Sequence, residues 1–246
     1  MSQVLAPPTA RPRIVGHRGA ATHAPENTLA SFRRAIADGA QLLECDVHLS
    51  ADGHVVVLHD ETVDRTAQPD SPRRGGAVAE LTRAELDDVL VGDGERIPSL
   101  EELLELTTVP VFIEVKAAAA AEAVAAQLAA LPEGSPAKAS SVITFHPEAI
   151  APIRRLSPST PISYLVTRVD EDALRTAAEL GAVGIGPWIG GLSLAAARAV
   201  REAGLALNPW TINRADELAV ALACGADTIT TDDPAWVAAQ LDARGL

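Results

Sequence analysis

AAELGAVGIGP (177–187), VREAGLALNPW (200–210) and ALACGADTITT (221–231) repeat one beat: a helical pattern, a glycine, then a short apolar run. IADGAQLLECDV (36–47) does the same near the start of the chain. Gly39, Gly181, Gly204 and Gly225 fall where a helix end must turn left-handed before a strand, a conformation glycine adopts without steric cost. The last three lie 23 and 21 residues apart, the length of a compact βα unit.

Extending the beat gives eight parallel strands: RIVGH (13–17), LLECDV (42–47), VFIEVK (111–116), VITF (142–145), ISYLV (162–166), VGIG (183–186), LALNPW (205–210) and TITT (228–231). Helical patterns lie between them. Leu29, Phe32 and Ile36 share one helical face, and Leu100, Leu103 and Leu104 another. Ser99-x-x-Glu102 reads as a capping box, and Asp233-Pro234 as an N-cap followed by proline at the first helical position. Eight βα units in 246 residues predict a (β/α)₈ TIM barrel, residues 1–246 forming one domain. VVVLH (55–59) follows the second strand too closely for a parallel crossover, so it predicts an antiparallel hairpin turning on Asp52-Gly53. That hairpin folds His59 back towards Glu44 or its neighbour. Residues 60–98, with Pro69, Pro72, Gly75, Gly76 and a capped Thr82-x-x-Glu85 helix, read as an insertion over the barrel mouth. It is expected to bury no core of its own.

Composition narrows the chemistry. Hydrophobic residues make up 48% and charged residues 22%, which excludes disorder, collagen and coiled coil. Lys+Arg 20 against Asp+Glu 33 gives a net charge of −13, which argues against nucleic acid and stable membrane association. An acidic protein that handles an anion needs a metal or a few focused cations. Cys45 and Cys224, the only cysteines, indicate neither a disulfide framework nor a thiolate metal site. MSQVLAPPTARPR (1–13) lacks the apolar stretch of a secretory signal, so a cytoplasmic setting is expected.

In such a barrel the chemistry belongs at the C-terminal strand ends. Glu44 and Asp46 share a face of the second strand, and Glu114 and Lys116 a face of the third. Three converging carboxylates without a cation would repel and partly protonate. Glu44, Asp46 and Glu114 are therefore candidate ligands of one hard divalent cation, Ca²⁺ or Mg²⁺. The alternative is structural ion pairing of each acid with Lys116, Arg18 or another base. His17 and His59 reach the same mouth as a candidate general acid–base pair, or as hydrogen-bonded core histidines. Arg18 and Lys116 are candidate phosphate binders, with an Arg18–Glu26 ion pair as the alternative for the arginine. His23, His48 and His54 are assigned to loops and to the hairpin surface.

These residues resemble the glycerophosphodiester phosphodiesterase family. Gly16-His17-Arg18-Gly19, Pro25-Glu26-Asn27-Thr28, Glu44-Cys45-Asp46-Val47, Leu58-His59-Asp60, Asp64-Arg65-Thr66, Pro98-Ser99-Leu100-Glu101-Glu102, Ile113-Glu114-Val115-Lys116, Trp210-Thr211-Ile212-Asn213 and Thr231-Asp232-Asp233-Pro234 match its pattern in order. The resemblance implies a metal-dependent hydrolase that splits glycerophosphodiesters into sn-glycerol 3-phosphate and an alcohol. It implies His17 and His59 as acid–base pair, Glu44, Asp46 and Glu114 on Ca²⁺ or Mg²⁺, and Arg18 and Lys116 on phosphate. Phe145 and Trp210 match aromatic positions that line the mouth and pack on glycerol or leaving group. On this reading His17 takes a proton from the glycerol 2-hydroxyl and His59 protonates the departing alkoxide; direct attack by water is the alternative. The chain departs from the family pattern at 67–74 and at His146, which bears on head-group preference.

Two other functions use the same fold. A lysophospholipase D would want a greasy rim, and the chain has only three Trp, one Tyr and three Phe. A silent binding protein would have lost a histidine or a metal carboxylate, and none is lost.

Overall fold

The computed structural model describes residues 11–246. The reading of the chain start as lacking a secretory signal falls, for residues 1–10, outside the described residues. In chain order come β1 (Arg13–His17), α1 (Leu29–Ala37), β2 (Leu42–Leu49), β3 (Val55–Val57), α2 (Arg83–Leu86), β4 (Leu90–Gly92), β5 (Glu95–Arg96), α3 (Leu100–Leu106), β6 (Val111–Val115), α4 (Ala121–Ala130), β7 (Ser141–Thr144), α5 (Ile150–Leu156), β8 (Ile162–Val166), α6 (Glu171–Glu179), β9 (Gly184–Pro187), α7 (Leu194–Glu202), β10 (Ala206–Leu207), α8 (Ala215–Ala223), β11 (Thr228–Thr231) and α9 (Pro234–Asp242). Among the described residues no helix is long and apolar enough to cross a membrane.

Parallel strands pair in the order β10-β9-β8-β7-β6-β2-β1-β11. Asp227 closes the ring between β10 and β11: its backbone N–H donates to Leu207 O at 2.9 Å and its carboxylate accepts from Leu207 N–H at 2.7 Å. The result is the (β/α)₈ barrel that the glycine beat predicts. Gly39, Gly181, Gly204 and Gly225 all have positive φ, at 92°, 61°, 73° and 66°. β10 is shorter than predicted, because Pro209 has no N–H to continue a regular ladder. Asn208 and Trp210 on either side of it still donate to Ile185 and Pro187 at 2.9 and 3.1 Å.

Strand alternation sorts the side chains. Cys45, Val47, Ile113 and Val115 face outward into the core beneath the helices. Val15, Leu42, Phe112, Ile143 and Leu165 face inward and pack as one apolar layer inside the barrel. Two residues further along the same strands, and on the same side, come His17, Glu44, Glu114 and Phe145. An apolar floor thus lies directly under a polar tier. The expected capping boxes are present, Thr82 with Glu85 on α2 and Ser99 with Glu102 on α3, and Asp233 caps α9.

β3 runs antiparallel to β2 with Val47 opposite Val57 and Leu49 opposite Val55, the predicted hairpin. Leu58 N–H then donates to Asp46 O at 3.0 Å, which carries His59 back beside the acidic strand. The insertion differs from expectation. Val63, Val78, Leu81, Leu86, Val89, Val91 and Ile97 bury themselves with Val56 and Leu58 as a separate apolar cluster. Single Val, Leu and Ile residues scattered among prolines and glycines have no periodicity to betray a core; the hairpin supplies the second wall. Leu86 is fully buried in this cluster. Leu86→Ala is expected to cost about 2–5 kcal/mol in denaturant unfolding and to speed proteolysis within 60–98; a loss under about 0.5 kcal/mol would mean the cluster is not a core.

Candidate active site

Register brings the acids together. β1 pairs with β2 so that His17 lies beside Glu44, and β2 pairs with β6 so that Asp46 lies beside Glu114. Glu44, Asp46 and Glu114 are all buried, and each offers an oxygen within 4.8 Å of the others. Their cations are too few. Lys116 Nζ is 2.9 Å from Glu114 Oε1 and 3.6 Å from Asp46 Oδ1, while Arg18 Nε is 3.3 Å from Asp46 Oδ2. Arg18 also donates to Glu26 at 3.0 Å, the ion pair foreseen as the alternative for this residue.

The imbalance appears in the protonation of each group. Burial raises the Asp46 carboxyl, but Arg18 and Lys116 outweigh it and hold Asp46 below the usual range. Burial and the neighbouring Asp46 push Glu114 up. Glu44, which among the described residues accepts only the Arg18 backbone N–H, at 2.9 Å, is pushed up to about 8 by burial and Asp46. A buried acid kept largely neutral beside two others is the kind of environment that a bound dication would relieve. The all-oxygen donor set suits Ca²⁺ or Mg²⁺ rather than Zn²⁺.

Two turns fix the rest. Arg18 and Asn27 hold left-handed backbones, φ 53° and 57°, which in non-glycine residues cost about 1–3 kcal/mol and cluster at functional sites. The first aims the Arg18 N–H at Glu44; the second sets Asn27 Nδ2 2.9 Å from Asp46 Oδ2. Gly19 follows with φ 91° and packs so closely on Ser31 that a Cβ would clash with its Oγ.

Both histidines are oriented by a carboxylate. His17 Nδ1 lies 2.6 Å from Asp232 Oδ1, and His59 Nδ1 lies 2.7 Å from Asp60 Oδ1. Burial pulls the His17 imidazole down, but the Asp232 hydrogen bond and the Glu44 charge overcome it, and its pKa rises above the ordinary value. Lys116 Nζ lies 3.2 Å from His59 Nε2.

The two imidazoles, Arg18, Glu44, Glu114 and Lys116 line one cavity of about 200 Å³, open at the barrel mouth. Phe145 and Trp210 line it too, ring edge to face at 5.5 Å. Trp210 Nε1 is tied to Gly186 O at 2.8 Å. Asp46 lies behind the wall, 1% exposed. Eight of the nine sequence-chosen residues therefore meet on one surface and the ninth stands directly behind it. Asn27, Asp60 and Asp232, to which the sequence pattern assigns no role, also belong to the site. One signal was available, the acid directly after His59; Asp232 is 215 residues from His17 and only the closed barrel joins them. His48 is not at the hairpin surface: β2 runs on to Leu49, so His48 is 5% exposed, with Nε2 3.1 Å from the His59 carbonyl.

Residues 17–236 match the model of the glycerophosphoryl diester phosphodiesterase family. A glycerophosphodiester phosphodiesterase of Caldanaerobacter subterraneus subsp. tengcongensis is 30% identical over 90% of this chain and 94% of its own. Among solved structures, an Oleispira antarctica phosphodiesterase in complex with the product sn-glycerol-3-phosphate superposes with TM-score 0.86 at 25% identity, covering 94% of this chain and 97% of that one. A glycerophosphodiester phosphodiesterase of Agrobacterium tumefaciens gives TM-score 0.77 at 27% identity over 93% of this chain and 100% of that one.

The raised Glu44 value carries a signed consequence. A carboxyl with a folded pKa of about 8 against an ordinary 4.5 favours the fold below 4.5, and that contribution is lost as pH rises through about 8. Metal-free protein should therefore lose melting temperature across that window, and less so in Glu44→Gln. Ca²⁺ or Mg²⁺ should raise the melting temperature more at the upper end of the window than at the lower, because binding must displace the proton. A cation effect independent of pH would contradict this origin.

Proposed function

The chain belongs to the glycerophosphoryl diester phosphodiesterase family, and on that premise we propose that it hydrolyses small glycerophosphodiesters to sn-glycerol 3-phosphate and an alcohol, with His17 and His59 as acid–base pair. The observation that carries the proposal is the pair of carboxylate-oriented imidazoles opening on one cavity beside three buried acids. The product held by the Oleispira antarctica protein is consistent with the same substrate class. Glu44, Asp46 and Glu114 would hold Ca²⁺ or Mg²⁺, which when bound draws electron density from phosphate oxygens. Buried, free Cys45 and Cys224 agree with a reducing setting.

Arg18 and Lys116 bind the phosphate. Arg18 Nε is buried against Asp46 Oδ2 at 3.3 Å and Nη1 donates to Glu26 at 3.0 Å, so the phosphate would meet Nη2. Phe145 and Trp210 pack against the glycerol or the departing alcohol. Asp232 and Asp60 fix each Nδ1 and leave each Nε2 to move protons. An ammonium has no lone pair, so the Lys116 contact requires His59 Nε2 to be the acceptor, with its proton on Nδ1 towards Asp60. With His59 as the acceptor, the donor's part falls to His17, whose pKa lies above its ordinary value because the Asp232 hydrogen bond and nearby acids outweigh burial. We therefore assign His59 to take the proton of the attacking oxygen, the glycerol 2-hydroxyl or water, and His17 to protonate the leaving group. This is the reverse of the order carried over by resemblance.

Assaying glycerol 3-phosphate release from glycerophosphocholine, -ethanolamine, -inositol and -glycerol with Ca²⁺ and Mg²⁺ in turn tests the activity; none released from any of them overturns it. His17→Ala and His59→Ala should each lose at least about 10²-fold on the choline ester. Nitrophenolate departs without a proton, so on a glycerophosphoryl nitrophenyl ester His17→Ala should regain most of its rate and His59→Ala none. Rescue of His59→Ala instead would restore the opposite order.

A further inference from the structure

Arg65 sits at the edge of the site, on the first turn of the insertion. Its guanidinium makes two forked pairs. Nε and Nη2 reach Asp60 Oδ2 and Oδ1 at 2.6 and 3.1 Å; Nη1 and Nη2 reach Glu26 Oε2 and Oε1 at 3.0 and 2.7 Å. Each carboxylate is also engaged with the cavity wall. Asp60 Oδ1 accepts from His59 Nδ1, and Glu26 Oε1 accepts from Arg18 Nη1. One side chain thus closes a continuous path from His59 through Asp60, Arg65 and Glu26 to Arg18.

The backbone beneath is pinned. Val63 is buried in the insertion's own cluster, and Ala67 N–H donates to Val63 O at 2.9 Å. The side chain itself is half-exposed, 49%. Ion pairs at that exposure contribute little to stability, so the four bonds do not explain themselves as a staple of the fold. They do fix geometry: a planar fork sets two carboxylates at defined angles, which a lysine ammonium cannot do.

We propose that Arg65 is a positioning residue, holding Asp60 so that His59 Nε2 faces the cavity and holding Glu26 so that Arg18 does. This rests on the reading of His59 and Arg18 given above. The insertion then has a function at the site: its small core carries the residue that aligns a proton-transfer group with a phosphate-binding one.

The test compares wild type, Arg65→Lys, Arg65→Ala, Asp60→Asn, Arg65→Ala/Asp60→Asn and His59→Ala for kcat, KM and melting temperature on glycerophosphocholine. Arg65→Ala and Arg65→Lys should each lower kcat about 10- to 100-fold, the scale expected of a misplaced reacting group, with the melting temperature nearly unchanged. Added guanidinium, which can enter the half-exposed site, should restore part of the Arg65→Ala rate. On the Asp60→Asn background the Arg65→Ala loss should shrink, since residues acting through one another are not additive. Arg65→Ala within about twofold of wild type, or a full multiplicative loss in the double variant, overturns the proposal. So does a loss that follows a lowered melting temperature and is not relieved by guanidinium. An active His59→Ala would instead remove the underlying reading of the histidine.

Discussion

Three carboxylates buried within one another's reach are the constraint on which the rest of this molecule turns. Left to themselves, Glu44, Asp46 and Glu114 cannot all ionise in a low-dielectric wall. Lys116 and Arg18 settle Asp46 and part of Glu114, at the expense of leaving Glu44 protonated near neutral pH. A protein shaped for stability alone would put apolar residues there, as it does one layer down at Leu42 and Phe112. The surrounding architecture instead invests strain and hydrogen bonds in keeping the acids in place: the left-handed Arg18 and Asn27, the close Gly19–Ser31 contact and the Asn27–Asp46 bond all serve the same few ångströms.

The barrel supplies what those acids require. Parallel register sets Asp46 beside Glu114, and closure of the ring brings Asp232, from the last strand's end, to His17 on the first. The hairpin returns His59 to the same rim from the other side. The net charge of −13 then stops being a paradox for an enzyme of phosphodiesters. A few of the acids form the cluster, Asp60 and Asp232 orient the imidazoles, and Arg18 and Lys116 place positive charge on the cavity wall.

Much of this could be read from the chain because it depends on short-range pattern. Helix-ending glycines at Gly181, Gly204 and Gly225 marked the βα units, and alternation alone put Glu44 with Asp46 and Glu114 with Lys116 on inward faces. The hairpin followed from a loop too short for a crossover. What escaped needed contacts between distant segments. No local feature links Asp232 to His17, or Glu26 to Arg65 across 39 residues. The core of the insertion was hidden because Val63, Leu81, Leu86 and Ile97 obey neither period and are buried only once β3 lies under them. His48 was misplaced because β2 continues two residues past the point where its pattern faded.

On the reading proposed above, one divalent cation completes the Glu44, Asp46 and Glu114 cluster. Anomalous diffraction from crystals soaked in Mn²⁺, an oxygen-seeking substitute for Mg²⁺ and Ca²⁺, tests it most directly. One strong peak is expected, bonded to carboxylate oxygens of all three residues and lost in Glu44→Gln. A peak elsewhere, or a cluster that stays closed on Lys116 and Arg18 with no peak at saturating Mn²⁺, would contradict it.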